Sequence, residues 1–313
     1  MKQKVVVITG GGGQSASLLA QYLSDVDGYD IHYVGGEPPV KVAVHYPNLD
    51  LRFKDNNELL ARLLPDYWFN FAAISSPKES CEIPVETLQV NTLGVAYQLE
   101  ALSKYAPSCR YFNAGSILET DQYASKFAPK TPYAISKLAA HQIVNFYRQA
   151  GLYAVQGILG LHESKLRQGD FLFKNIVAKA KEIVRAIEEG ERFDPIEVYN
   201  PNALINISLA KDVVEIIWES LQWDDPEDFI VESACPIYLR EFIEKTFIKL
   251  GVECYWAKDN LIMPDYIWND LKPKSGVLAR AVEKERFDLR PLQTPKNTYW
   301  TNSGIDEIIN ELV

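Results

Sequence analysis

The chain has 313 residues, 47% of them hydrophobic and 24% charged, with a formal net charge of −10 at pH 7. That length allows one large or two modest domains around a sizeable core, and the negative charge argues against a nucleic-acid surface. No charged-then-apolar leader precedes the first strand signal and no apolar run reaches membrane-spanning length, so a cytoplasmic protein with no membrane partner is expected. Cys81, Cys109, Cys235 and Cys254 are far apart without a C-x-x-C, and the four histidines lack metal-ligand spacing. Reduced, mostly core cysteines and no metal site follow as expectations.

The first element is the β-branched run Val5–Ile8, a strand signal for a position buried on both faces. Gly10, Gly11, Gly12 and Gly13 follow, then the helix-compatible SASLLAQYL. Strand, glycine turn and helix in that order make a phosphate cradle. Glycines let the backbone approach a diphosphate, and the amides at the helix start face its charge. Four glycines alone would also fit a plain flexible turn, so the downstream order matters. Residues 29–36 read as a second strand ending in Gly35 and Gly36, with Glu37 beyond. An acidic residue at that end favours a free ribose 2′-hydroxyl and an arginine favours a 2′-phosphate. The residues therefore leave NAD and NADP both open.

Residues 49–53 read as a third strand, with Asp55 and Asn56 after it as an adenine contact or a plain loop cap. Residues 57–64 read as a short helix, 67–73 as an apolar strand ending in small residues, and 85–105 as one long amphipathic helix. Residues 110–114 form the next strand, giving way to GSILET with Ser116. Strands alternating with helices call for a parallel sheet covered on both faces, with ligands beyond the carboxyl ends of the strands. Gly10–Gly13, Asp55–Asn56, Ala72–Ala73 and Ser116 all fall at that edge.

Pro132 suits the first turn of a helix over 131–151, on which Tyr133 and Lys137 lie one turn apart on one face. A phenol titrates near ~10, and an ammonium one helical turn away favours the phenolate, which suits a proton acceptor. Residues 153–159 form a sixth strand, and LHESKLRQGDF brings His162 and Arg167. Helices are expected over 171–189, 210–223 and 239–250, with short strands near 205–208 and 229–232; past Gly251 no clean period appears until a closing helix in GIDEIINEL.

With the glycine loop, Ser116, Tyr133 and Lys137 in that order, the chain resembles the extended short-chain dehydrogenase/reductases, and within them the GDP-mannose 4,6-dehydratases. The likeness is carried by ITGGGGQSASLLAQYL, FNFAAISSPKES, VNTLGVAYQLEAL, TPYAISKLAAHQIVNFYRQAGLYAVQGIL, HES and AKDVVEIIWESLQWDDPEDFIV, and spans most of residues 5–245. It implies an α/β, Rossmann-type doubly wound parallel sheet with a smaller C-terminal substrate-binding part. The expected division is a dinucleotide-binding domain over 1–165 plus about 203–233, and a substrate part from 166–202 and 234–313.

The resemblance implies a nucleotide-sugar 4,6-dehydratase, a lyase that oxidises sugar C4 transiently with a bound nicotinamide dinucleotide. A 4-ketosugar reductase or epimerase is the alternative, and a non-catalytic dinucleotide-binding regulator the alternative of another class. By position, Ser116, Tyr133 and Lys137 take the catalytic roles. Gly10, Gly11, Gly12, Gly13, Gln14, Ser15, Asp55, Asn56, Phe71, Ala72, Ala73, Ser75, His162 and Arg167 take cofactor positions, together with Tyr133 and Lys137. NADP is the implied cofactor, with NAD the alternative. A sugar nucleotide is the implied partner, and a homodimer or homotetramer the implied assembly.

The chain departs from the family at four places. Leu118 stands where the family carries the glutamate base of the elimination, with Glu119 one residue on as the candidate replacement. Gly35 and Gly36 stand in place of two arginines, Leu161 in place of an asparagine, and no arginine lies near Ile205.

Overall fold

A computed structural model describes residues 3–119, 131–263, 277–281 and 297–313. These divide into two units, one from 3–162, 210–232 and 297–300, the other from 163–209, 233–263, 277–281 and 301–313. Elements are numbered in chain order.

The first unit opens with β1 (Lys4–Gly11), α1 (Gln14–Ser24), β2 (Tyr29–Gly35), β3 (Val44–Tyr46), α2 (Lys54–Ala61) and β4 (Tyr67–Asn70). Short helices α3 (Pro77–Glu82) and α4 (Pro84–Leu88) lead through a π-helical turn (Gln89–Leu93) into α5 (Gly94–Tyr105). Then come β5 (Arg110–Ala114), α6 (Pro132–Gln149), β6 (Tyr153–Leu159) and β7 (Leu161–Glu163). Later stretches add α8 (Ala210–Ser220), β11 (Phe229–Ser233) and β16 (Thr298–Thr301). The eight-stranded sheet has the order β16-β11-β6-β5-β4-β1-β2-β3. Its pairs from β11 through β6, β5, β4, β1 and β2 to β3 are all parallel.

The period of two explains both apolar faces. Val6, Ile8, Phe69 and Phe112 pack with Leu19 and Leu23 of α1 and Val213 and Ile217 of α8. Their strand neighbours Val7, Trp68 and Tyr111 pack with Leu60 of α2, Leu99 and Leu102 of α5 and Val144 of α6. Successive side chains leave opposite faces of a strand, so a sheet covered on both sides needs nearly unbroken apolar strands. Each fully buried leucine contributes about 1.5–3 kcal/mol. The order reverses between β1 and β4, the crevice where doubly wound sheets take ligands.

The second unit holds α7 (Leu172–Glu189), β8 (Ile196–Val198), β9 (Leu204–Ile205), β10 (Ile207–Leu209), β12 (Ile237–Tyr238) and α9 (Leu239–Lys249). It also has β13 (Tyr255–Ala257), β14 (Asn260–Ile262), β15 (Val277–Ala281) and α10 (Ile305–Leu312). A four-stranded sheet runs β13-β14-β15-β8. Phe173, Ile176 and Ile183 of α7 pack with Phe242 and Phe247 of α9 and Ile308 of α10.

Four local expectations change. Residues 49–53 form a turn, and the third strand is Val44–Tyr46 instead. The helix expected over 85–105 runs without a break but contains a π-helical turn around Asn91, whose side chain bonds outside its own helix. Past Gly251, where the sequence shows no clean period, the chain forms β13 to β16, short strands of which β13 and β14 make a hairpin while β15 pairs with β14 and the distant β8. Of the four cysteines, only Cys109 is fully buried, while Cys81 and Cys235 are exposed.

Candidate active site

The site lies in the first unit, at the carboxyl ends of β1, β4 and β5. Gly10 and Gly12 take φ of +84° and +85°, which residues with a Cβ rarely adopt. A Cβ on Gly10 would sit 2.5 Å from the Phe71 carbonyl carbon and 2.6 Å from the Ala72 nitrogen. The glycine turn and the Phe71–Ala72 backbone are thus in direct contact. Gly13 begins α1 with no side chain capping the helix start. A diphosphate suits such a start, where backbone amides and the helix dipole favour negative charge.

His162 closes the other side of the turn. Its Nδ1 lies 2.8 Å from the Gly160 carbonyl, which only accepts, so Nδ1 carries the hydrogen. In the neutral ring Nε2 then accepts from Ser15 Oγ at 3.3 Å, while Gln14 Nε2 donates to the His162 carbonyl at 2.9 Å. The segment after β4 is held by Asn91, which accepts from the Ile74 N–H and donates to its carbonyl, at 2.8 and 3.0 Å. Asn91 Nδ2 also donates to Ser136 Oγ of α6 at 2.9 Å.

Helix α6 carries the candidate pair Tyr133 and Lys137. Thr131 caps it by accepting the Ala134 N–H at 3.2 Å, and Pro132 takes the first turn. Ser80 Oγ accepts the Tyr133 N–H at 3.1 Å, docking this helix start on α3. Lys137 Nζ donates to the Ala114 carbonyl at the end of β5, at 2.7 Å, and stands 5.8 Å from the Tyr133 ring centroid. Ser116 follows two residues after Ala114, and its Oγ accepts the Leu118 N–H at 3.3 Å. Ser116, Tyr133 and Lys137 are all buried.

Burial lowers the Lys137 ammonium to about 8, against the Glu119 charge, which raises it. The folded value lies below the unfolded one, so burying this charge costs stability below about 8, a cost relieved as pH rises. A step that uses the ammonium should therefore slow as pH rises through about 8, read as the alkaline limb of kcat against pH. A rate that stays level well above that pH would exclude the ammonium from the rate-limiting step.

The GDP-mannose 4,6 dehydratase family model matches residues 7–291 of this chain. The chain belongs to that family. A GDP-mannose 4,6-dehydratase of Vibrio cholerae serotype O1 is 30% identical over 282 residues, covering 81% of this chain and 74% of its own. The human GDP-mannose 4,6 dehydratase is 29% identical over 286 residues, covering 82% and 75%. In fold, the Bordetella bronchiseptica enzyme WbmF, solved with NAD+, superposes with a TM-score of 0.71 at 14% identity, over 99% of this chain and 92% of its own. A UDP-glucose 4-epimerase of Thermotoga maritima superposes with a TM-score of 0.67 at 18% identity, over 89% of each chain.

Within this GDP-mannose 4,6-dehydratase family chain, several candidate residues sit differently from expectation. Asp55 and Asn56 are not at a strand end but in the first turn of α2. Asp55 is exposed, and Asn56 Nδ2 donates to the Asp50 carbonyl at 2.8 Å, holding the 47–53 turn. Arg167 belongs to the second unit, where its Nε lies 3.4 Å from Glu163 Oε1 and its guanidinium covers the Phe171 ring at 3.9 Å. Leu118 is 39% exposed. Glu119 is 1% exposed, and its carboxylate takes hydrogen bonds from the Ser116 N–H and Gln156 Nε2 and an ion pair with His141.

Sequence reading missed Ser80, His141, Gln156 and Asp228. One signal was available: His141 follows Tyr133 and Lys137 at the same four-residue spacing, hence on the same helix face. Among the described residues no group of three or more His, Cys, Asp or Glu could hold a metal ion, and no helix is long and apolar enough to cross a membrane.

Proposed function

We propose that this chain is a nucleotide-sugar 4,6-dehydratase acting on GDP-mannose or a close analogue. The observation that carries the reading is Ser116, Tyr133 and Lys137 at the end of β5, in a family member whose glycine turn suits a diphosphate. The chemistry a bound nicotinamide dinucleotide supplies is to accept hydride from sugar C4 and return it at C6, so the net change is loss of one water. In this reading Tyr133 Oη takes the proton of the C4 hydroxyl, and Ser116 Oγ hydrogen-bonds and orients that hydroxyl. Lys137 supplies the positive charge that favours the phenolate. The product is a 4-keto-6-deoxy sugar nucleotide.

The end of β2 supports NAD over the NADP implied by the resemblance. A Cβ on Gly35 would meet Gly11 N at 2.8 Å, and one on Gly36 would meet Gly12 Cα at 3.0 Å, so no arginine fits there on this backbone. Glu37 just beyond is 92% exposed and would repel a 2′-phosphate.

One observation favours a second reading. Leu118 replaces the family's base, and the Glu119 carboxylate is already engaged, which suits plain hydride transfer at C4 by an epimerase or reductase. Purified protein with NAD or NADP and a panel of sugar nucleotides, followed by mass spectrometry, separates the readings. Loss of water from a GDP-hexose supports the dehydratase; an unchanged mass with altered stereochemistry, or a gain of two hydrogens, supports the second. Equal affinity for NADP and NAD would overturn the cofactor choice.

A further inference from the structure

A row of buried polar side chains crosses the sheet behind the site, one from each of four adjacent strands. Thr9 of β1 donates its hydroxyl to Asn70 Oδ1 of β4 at 2.6 Å. Asn70 Nδ2 donates to Asn113 Oδ1 of β5 at 2.8 Å, and Asn113 Nδ2 to Gln156 Oε1 of β6 at 2.8 Å. Parallel register puts them in line: Thr9 opposite Asn70, Asn70 opposite Asn113, Asn113 opposite Gln156. Gln156 Nε2 then donates to both oxygens of Glu119, at 3.1 and 3.2 Å. Every donor points toward that carboxylate. An amide donates or accepts, whereas a carboxylate only accepts, so the charged end sets the direction of the row.

On its other side Glu119 Oε1 lies 3.0 Å from His141 Nδ1, and His141 Nε2 lies 2.9 Å from Asp228 Oδ2. With a carboxylate oxygen on each ring nitrogen, both nitrogens donate and the ring is an imidazolium. Asp228 is paired in turn with Arg148. Charge alternates from Glu119 through His141 and Asp228 to Arg148. His141 and Arg148 are carried by α6, the helix of Tyr133 and Lys137. The remaining bond of Glu119 runs to the reacting turn, where Oε2 accepts the Ser116 N–H at 3.1 Å. Packing is close enough that a Cβ on Gly115 would sit 2.5 Å from Gln156 Nε2 and 3.0 Å from Glu119 Oε1.

We propose that Glu119 is a positioning residue: its carboxylate ties the Ser116 turn, the polar row of the sheet and, through His141, the Tyr133–Lys137 helix into one frame. It does not act as the base at sugar C5, which falls to another group. This rests on Ser116, Tyr133 and Lys137 being the reacting groups. The electrostatics agree with the geometry. Against burial, which lowers it, the hydrogen bonds to Asp228 and Glu119 raise His141 to about 9. The groups facing His141 are Glu119 from the turn after β5 and Asp228 ahead of β11; Lys137 faces Glu119, the Ala114 carbonyl and the Tyr133 ring.

Glu119→Gln in the full-length enzyme tests this, with GDP-mannose as the probe and nicotinamide absorbance and deuterium uptake at C5 followed together. A lost positioning contact predicts a fall in kcat of about 10²-fold with KM little changed. Cofactor reduction and C5 exchange fall in step, and the alkaline limb moves to lower pH because Lys137 loses a stabilising anion. Reduction at the wild-type rate with exchange and water loss abolished would make Glu119 the base and overturn the proposal. If the single variant fails to fold, Glu119→Gln with His141→Gln removes two opposite charges together and leaves no lone one buried between them. The same coupled loss is expected there. Nitrogen-15 NMR gives an arm independent of substrate. A doubly protonated His141 at neutral pH, with a Ser116 amide protected from exchange in the wild type and open in Glu119→Gln, supports the proposal. A neutral His141, or a Ser116 amide unaffected by the substitution, overturns it. Failure of the nucleotide-sugar reading shows separately, as a wild type that turns over no member of the panel.

Discussion

Tyr133→Phe is expected to lower kcat by about 10²–10⁴-fold while leaving KM and cofactor affinity within a few-fold. The substitution removes one oxygen and keeps the ring. The Ser80 bond to its N–H and the Thr131 cap two residues earlier both hold this residue through backbone, and neither uses the phenol. The loss should therefore appear in the step that moves the C4 hydroxyl proton. Single-turnover measurement of cofactor reduction, alongside thermal unfolding, checks this. Turnover within a few-fold of wild type would remove Tyr133 as the proton acceptor, and with it the reading of Lys137 as the charge that favours the phenolate.

Gly10→Ala is expected to cost at least about 2 kcal/mol of stability and to abolish dinucleotide binding. Two terms add. Forcing a Cβ into φ +84° costs about 1–2 kcal/mol, and the new methyl meets Phe71 and Ala72 backbone at 2.5–2.6 Å, which no rotamer change relieves. Gly28→Ala separates the terms, because Gly28 has φ +109° with nothing within 4 Å of an added Cβ. That variant should show the dihedral cost alone and bind cofactor normally. Thermal unfolding and cofactor titration on the two variants give the comparison. Equal unfolding temperatures with intact binding would mean that the turn does not press on the segment after β4.

Much of the site was legible in residue order. Val5–Ile8 running into Gly10–Gly13 marks a strand and turn, and Tyr133 and Lys137 one turn apart share a face wherever that helix docks. Such signals act within a few residues, so they survive without knowing the partners. The same locality explains the misreadings. Residues 49–53 carry a strand-like composition, but Asn56 and Asn57 fold back on the Asp50 and Leu51 carbonyls and close a turn. The expected long helix takes a π-helical turn at Asn91, whose side chain bonds to Ile74 and Ser136. Glycines at 35 and 36 read as a missing arginine pair; only the contact with Gly11 and Gly12 shows that the space is already filled.

By itself, then, the sequence determined the alternation of strands and helices, the glycine cradle and the phenol–ammonium face, because each depends on period and neighbours along the chain. Tertiary structure alone decided the role open to Glu119. Its partners Gln156 and His141 come from β6 and α6, with Asp228 on the far side of His141 from the approach to β11, and they reach it only through strand register and helix docking. A carboxylate one position from the expected base looks like a substitute in the linear chain. In the fold it is the buried acceptor at the end of a donor row that crosses four strands.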